Sequence, residues 1–232
     1  MNTEKKKTVL KKEAILDVAT RLFLEKGYNA TSTNDICNAA HINKPSLYYF
    51  FESKRHLFFS CHMRSIQTYL GPYLDQATSI LDPWERLQFI IREFTKMVCR
   101  YPELKVLIHE TMSIKDEYFT KIRTIWKRHY VLLRETISEL RSKKIIETDV
   151  SPSRAALFLL GMMTWMTFWF DPDRKEEIED MAESALRFAL QGLSGKGPAL
   201  LPQTMETGIP DKGRAKGAQG GGRRSSRPRS GT

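Results

Sequence analysis

The segment Lys44 to Phe51, "KPSLYYFF", sets a lysine, a serine and two tyrosines beside a proline and three apolar residues. Aromatic runs favour strands. Pro45, however, suits the first turn of a helix, where its missing N–H costs nothing. At roughly 100° per residue Leu47 and Phe51 then share one face, Pro45, Ser46 and Tyr49 lie on the other, and Lys44 and Tyr48 take a flank. Leu47 and Phe51 can pack inward. Ser46 and Tyr49, left exposed beside a lysine, offer hydroxyls, rings and a cation for contact with something outside the protein.

Presenting such a face requires a scaffold, and the preceding sequence supplies one. In "LKKEAILDVATRLFLEKG" Ile15, Val18, Ala19, Leu22 and Phe23 recur at helical spacing, and Gly27 ends the helix. "TSTNDICNAA" offers Thr31, Ser32 or Thr33 as the N-cap of a short second helix, with Asp35 in its first turn and Ile36, Ala39 and Ala40 on one side. Two short helices joined by "HIN", the second presenting hydroxyls, aromatics and a lysine, have the layout of a helix-turn-helix whose second helix enters the major groove of duplex DNA.

At this point "ILDVATRLFLEKGYNATSTNDICNAAHINKPSLYYFFESKRHLF" resembles the N-terminal DNA-binding domain of the TetR family of transcriptional regulators. The match covers about fifty residues. The resemblance implies an all-α homodimer that binds a palindromic operator, most often as a repressor, and is released by a small hydrophobic effector. It assigns Thr33 and Asn34 to the phosphate and groove edge, and Lys44, Pro45, Ser46, Tyr48 and Tyr49 to the recognition helix. Tyr48 would bond phosphate, Tyr49 and Pro45 would touch thymine methyls, and Lys54 would clamp a phosphate. Three residues depart from the family pattern. His41 stands for the usual turn glycine, Phe50 for a common phosphate-bonding histidine, and Cys37 for alanine.

Charge divides the chain consistently with this reading. Residues 1–60 carry ten Lys/Arg against six Asp/Glu, residues 61–193 nineteen against nineteen, and residues 194–232 eight against two. A neutral middle between basic ends predicts a polyanion partner at the ends and another task between them. The expected organisation is a DNA-binding domain over 8–55, with its motif at 32–51, a helical effector and dimerisation domain over 56–193, and a disordered basic tail over 194–232, where nine of thirteen glycines fall.

The pattern before the tail predicts nine helices and no strand. One follows Pro83, one follows Pro102 ("ELKVLIHETMS"), the longest runs through "KDEYFTKIRTIWKRHYVLLRETISELRSKK", and two more follow it. A kink or end is expected at Gly71-Pro72. The stretch from Ala155 to Phe170 is too short for a membrane span and reads as a buried helix, and the basic N-terminus lacks an apolar signal core, so the protein is expected in the cytoplasm, without a membrane partner. Cys37, Cys61 and Cys99 are unpaired in spacing and read as buried thiols. No metal site is expected, and His109 and Glu110, adjacent on a helix, face different ways.

Phe89, Phe94, Met97, Met112, Phe119, Trp126, Tyr130, Met162, Met163, Trp165 and Met166 give the middle a Met- and aromatic-rich interior suited to an adaptable pocket or to an ordinary core. Trp126, Trp165 and Met166 are the candidate ligand-binding residues, and the last two helices the candidate dimer interface. "LLGMMTWMTFWFDPDRKEEIEDM" resembles family members that sense acyl-CoA thioesters. No cofactor or catalytic motif is present: there is no phosphate loop, nucleophile elbow or H-E-x-x-H pair. The competing function is a ligand-independent protein that coats DNA through the motif and both basic ends.

Overall fold

The computed structural model describes residues 3–104 and 117–195. The helix expected after Pro102, from Lys105 onward, lies outside the described residues, as do His109, Glu110, Met112, the side chain of Phe119 and the tail from Lys196. Every regular element among the described residues is helical. They are α1 (Thr3–Ala30), α2 (Thr33–Ala39), α3 (Lys44–Phe50), α4 (Lys54–Ser65), α5 (Gly71–Ser79), α6 (Pro83–Arg100), α7 (Glu117–Ser142), α8 (Pro152–Trp169) and α9 (Ile178–Leu193), with a 3-10 turn at Lys175–Glu177. None is long and apolar enough to cross a membrane.

Two hydrophobic clusters organise these helices. The first joins Ile15, Leu16, Ala19, Leu22 and Phe23 of α1 to Ile36 and Cys37 of α2, Leu47 and Phe51 around α3, and Leu57, Phe58 and Cys61 of α4. The first turns of α4 therefore pack with the reader, past residue 55. Arg64 fastens the two long helices from outside, its guanidinium 2.6 Å from Asp17 and 3.3 Å from Glu13.

The second cluster is built around α6, which touches α7, α8 and α9. Asp82 caps α6 by accepting the Glu85 N–H at 2.8 Å. Arg86 reaches Thr136 and Glu139 of α7 at 2.8 and 2.6 Å, while Arg92 and Lys96 pair with Glu183 and Glu179 of α9. All three cysteines are buried and free.

The helix does not stop at Gly71-Pro72. It widens into a π-turn at Ile66–Leu70, where the Gly71 N–H bonds Ile66 O, and then continues as α5. Pro72 has no N–H to give and its ring would collide with the carbonyl four residues back. Widening the turn before it accommodates both, a common role of π-bulges.

Candidate nucleic-acid interface and effector region

The turns of the reader are set by a few side chains. Gly27 takes a φ of 79°, where a β-carbon is disfavoured, and breaks α1 before its last turn. The buried Thr31 hydroxyl lies 2.8 Å from Gly27 O and 3.1 Å from Leu22 O, sharing its proton between two carbonyls that the break leaves open. Of the three cap candidates it is Ser32 that starts α2, its Oγ accepting the Asp35 N–H at 3.1 Å while the Asp35 carboxylate accepts the Ser32 N–H at 2.8 Å. The Ser32 hydroxyl, donating to the same carboxylate at 2.7 Å, and the Ser32 N–H hold the Asp35 carboxyl below its ordinary range.

His41 adopts a φ of 52° in the turn, so the left-handed geometry expected of a glycine is kept with a histidine. The Ile42 N–H then reaches back to Cys37 O at 3.0 Å. Asn43 caps α3 by accepting the Ser46 N–H at 2.9 Å, and Pro45 occupies the first turn.

On α3 Leu47 and Phe51 are buried, and Tyr49 is 77% exposed, with Tyr48 and Lys44 also outward. Ser46 is only half-exposed: the Asn43 cap folds over the turn, so its share of the outer face is smaller than the helical wheel suggests. Phe50, half-buried, stands edge-on to Tyr49 with ring centroids 5.0 Å apart, which fixes the Tyr49 ring in place of the phosphate bond a histidine would make. Thr33 and Asn34 open α2, Thr33 half-buried and Asn34 exposed.

Lys54 opens α4 with its Nζ 4.2 Å from the centre of the Tyr28 ring, and burial lowers its pKa. A cation steadied on an aromatic face is pre-placed rather than free to wander. Tyr28 is a residue that sequence reading missed; the only local signal was an aromatic one position after the turn glycine.

In the neutral body, Tyr73 and His129 form a buried polar pair, hydroxyl to Nε2 2.9 Å. Tyr73 also lies 3.3 Å from Ile90 O. Its single proton can serve one of the two, so donation to Ile90 makes His129 Nε2–H the donor to the phenol oxygen. Nδ1 of His129 has no hydrogen-bond partner among the described residues, and burial pushes the imidazole down to about 3, which keeps it neutral. Phe94 and Trp126 stand against this ring, at 4.6 and 6.4 Å between centroids.

Trp165 and Met166 lie elsewhere. They line a groove of about 400 Å³ with Met162, Trp169, Phe170, Asp171, Arg174, Glu177 and Met181. The helix that carries them is not buried all round as its composition suggested: Leu157, Phe158, Trp165, Phe168 and Trp169 of α8 are exposed, and Phe188 of α9 joins them. A Cβ added at Gly161 or Gly192 would meet open space.

The body touches the reader at Tyr118 of α7. Its ring stacks on Phe59 at 4.3 Å and lies parallel to His56 at 6.2 Å, and both partners belong to the first two turns of α4, which Lys54 opens.

An exposed polar-aromatic helix on a capped helix-turn-helix, joined to an all-helical body, defines a DNA-binding regulator by architecture. The family model described as "Bacterial regulatory proteins, tetR family" matches residues 15–61, and that of "Tetracyclin repressor-like, C-terminal domain" matches residues 81–193. The chain belongs to the TetR family of transcriptional regulators. It is 24% identical over 190 residues to the HTH-type transcriptional repressor KstR2 of Rhodococcus jostii, covering 78% of this chain and 89% of the relative. Over 47 residues, 20% of this chain and 25% of the other, it is 47% identical to the biofilm operon negative regulator IcaR of Staphylococcus aureus. Among solved structures, AibR in complex with isovaleryl coenzyme A and operator DNA superposes with a TM-score of 0.71 at 27% identity, over 78% of this chain and 98% of that one.

Proposed function

We propose that this regulator is a cytoplasmic repressor that binds a palindromic operator as a homodimer and leaves it when a hydrophobic effector, an acyl-CoA thioester first among candidates, enters the helical body. The observation that carries the reading is the α3 surface: Tyr49 and Lys44 stand outward on a helix whose other face is locked by Leu47 and Phe51. Thr33, Asn34, Pro45, Ser46 and Tyr48 complete the proposed contact set, and Lys54, steadied by Tyr28, is its phosphate clamp.

The homodimer reading rests on the exposed apolar face of α8 and α9, carried by Leu157, Phe158, Trp165, Trp169 and Phe188. A monomer rarely leaves so many large aromatics together in water. Its two glycines would let a second pair of helices approach closely, as in a four-helix bundle across a two-fold axis. The groove that holds Trp165 and Met166 shares this face, so we assign Trp165 to the seam and leave Met166 lining the groove. Trp126 is the effector contact, beside the unpaired His129 Nδ1, which can hydrogen-bond a polar group of the ligand. The coenzyme A ligand and operator DNA of the AibR complex support this choice of partners.

Release follows if the effector favours a body shape that moves α4 through Tyr118 and so changes the spacing of the two recognition helices, which must lie about 34–36 Å apart to enter successive major grooves. By linkage the effector weakens DNA binding by the factor by which DNA weakens effector binding. The test is to footprint DNA selected from a random-sequence library, then titrate acyl-CoAs of increasing chain length while following tryptophan fluorescence and release. A protected palindrome released at tens of micromolar or below is the expected result. Diffuse protection would favour the DNA-coating alternative, and failure of every acyl-CoA would remove that effector class.

A further inference from the structure

The start of α1 contributes no residue to the reader's core. Residues 4–14 are all exposed although the helix is continuous through them, and the first buried side chain is Ile15. Lys12 and Glu13 touch the reader's edge through Phe51 and Arg64, so at 1.5 Å per residue the eight positions 4–11 overhang it by about 12 Å. Val9 and Leu10 face water, and the side-chain tie within the overhang is the Thr8 hydroxyl to Glu4 O at 3.0 Å. Unpacked helical turns are marginal in water. Charge opposes these further: Lys5, Lys6, Lys7, Lys11 and Lys12 are set against Glu4 and a Glu13 already paired with Arg64, with three of the cations in the first turns, where the helix dipole favours anions. A polyanion alongside would relieve both the mutual repulsion and the mismatch with the dipole.

The overhang is also aimed. Lys5 and Lys12, seven residues apart, lie within about 20° of each other around the helix and on the same stripe as Leu16 and Phe23. That stripe packs into the cluster beneath α3. Lys12 marks its edge, with Nζ 5.7 Å from the centre of the Phe51 ring at the end of α3. The stripe of α1 that carries Leu16 and Phe23 into the cluster shared with Leu47 and Phe51 thus continues past the packed core as Lys12 and then Lys5.

We propose that residues 4–14 form a phosphate-binding rail that engages the DNA backbone flanking the bases read by α3. The partner is duplex DNA recognised by charge alone, and the inference rests on the operator-binding reading above. A lysine-to-phosphate contact releases counterions, so the rail has a signature that base reading lacks.

The test uses the full chain, native and K5Q/K6Q/K7Q/K12Q, on a library-selected duplex that either ends at the palindrome or extends ten base pairs beyond each side. Each lost contact should make the slope of log affinity against log salt shallower by about 0.9. Loss of Lys5 and Lys12 in both protomers should therefore change it by about 3.6 on the long duplex, little on the short one, and leave the operator-to-random ratio intact. Because Lys12 touches Phe51, the K5Q/K6Q/K7Q chain repeats the measurement with that contact kept. Identical slopes for native and variants on the long duplex, or equal changes on both duplexes, would overturn the rail. Were the native chain to bind every duplex alike, the operator reading would fall, and the slopes on long random duplex would still decide the rail.

Discussion

Phe158 sits on the exposed face of α8 with 66% of its surface open. Large aromatic side chains bury about 150–250 Å² when fully covered, so a second protomer seated on this face would remove roughly 130 Å² of Phe158 from water. At about 25 cal/mol per Å² that is about 3 kcal/mol, of which an alanine recovers a fraction, leaving about 2–3 kcal/mol per protomer. A two-fold axis doubles it to about 4–6 kcal/mol, or about 10³ to 10⁴ in the dimer dissociation constant. The folded monomer gives up little, because an exposed side chain contributes within about 0.5 kcal/mol to its stability. Sedimentation equilibrium of Phe158→Ala across a concentration series should therefore find monomer where the native chain is dimeric, with an unchanged helical circular dichroism spectrum. Operator affinity should fall in parallel by mass action. A dissociation constant altered less than tenfold, or a monomer destabilised by several kcal/mol, would refute the assignment of this face to the dimer.

Tyr49→Ala should cost about 1–3 kcal/mol per half-site on the operator and little on random DNA, whereas Lys54→Ala should weaken both about equally; matching losses for Tyr49→Ala on the two DNAs in a filter-binding assay would remove it from the bases. His129 bears on acid stability. Its folded pKa of about 3 lies below the ordinary 6.5, so the unfolded chain takes up its proton first as pH falls, and stability drops from about pH 6.5 down to about 3 by on the order of 1 kcal/mol per unit. His129→Leu should flatten that slope in urea titrations at pH 6.5 to 4.5, and an unchanged slope would assign it to other groups. Deleting residues 196–232, with their excess of positive charge, should lower the salt dependence of binding to random DNA and leave operator preference alone; an unaltered slope would mark the tail as inert.

The reader was legible in the sequence to the level of single side chains. Its helices are short, each has polar residues at fixed offsets from an apolar pair, and caps and turn glycines act within four or five residues of themselves. Periodicity therefore placed Leu47 inward and Tyr49 outward, and local chemistry narrowed the α2 cap to three candidates of which Ser32 is the one used. Gly71-Pro72 was legible as a disturbance but not as a π-turn, since whether a helix ends or widens at proline depends on what holds the next segment in line. Here that is α6, against which Leu74 and Ala77 are buried.

Other features had no local signature. In α8 nearly every position from Ala155 to Trp169 is apolar or small, so the pattern has no polar face to mark which side meets water. Only the arrival of α6 and α7 on one side decided that Leu159 and Met163 are core while Phe158 and Trp169 are left outside. Tyr73 and His129, fifty-six residues apart, likewise become a neutral buried pair only because α5 and α7 bring them to 2.9 Å. Sequence by itself determined what each helix is and where it starts, because backbone hydrogen bonds and caps are satisfied within a turn. Tertiary structure alone decided which faces are buried and which polar groups meet, because burial is set by neighbours that lie far away along the chain.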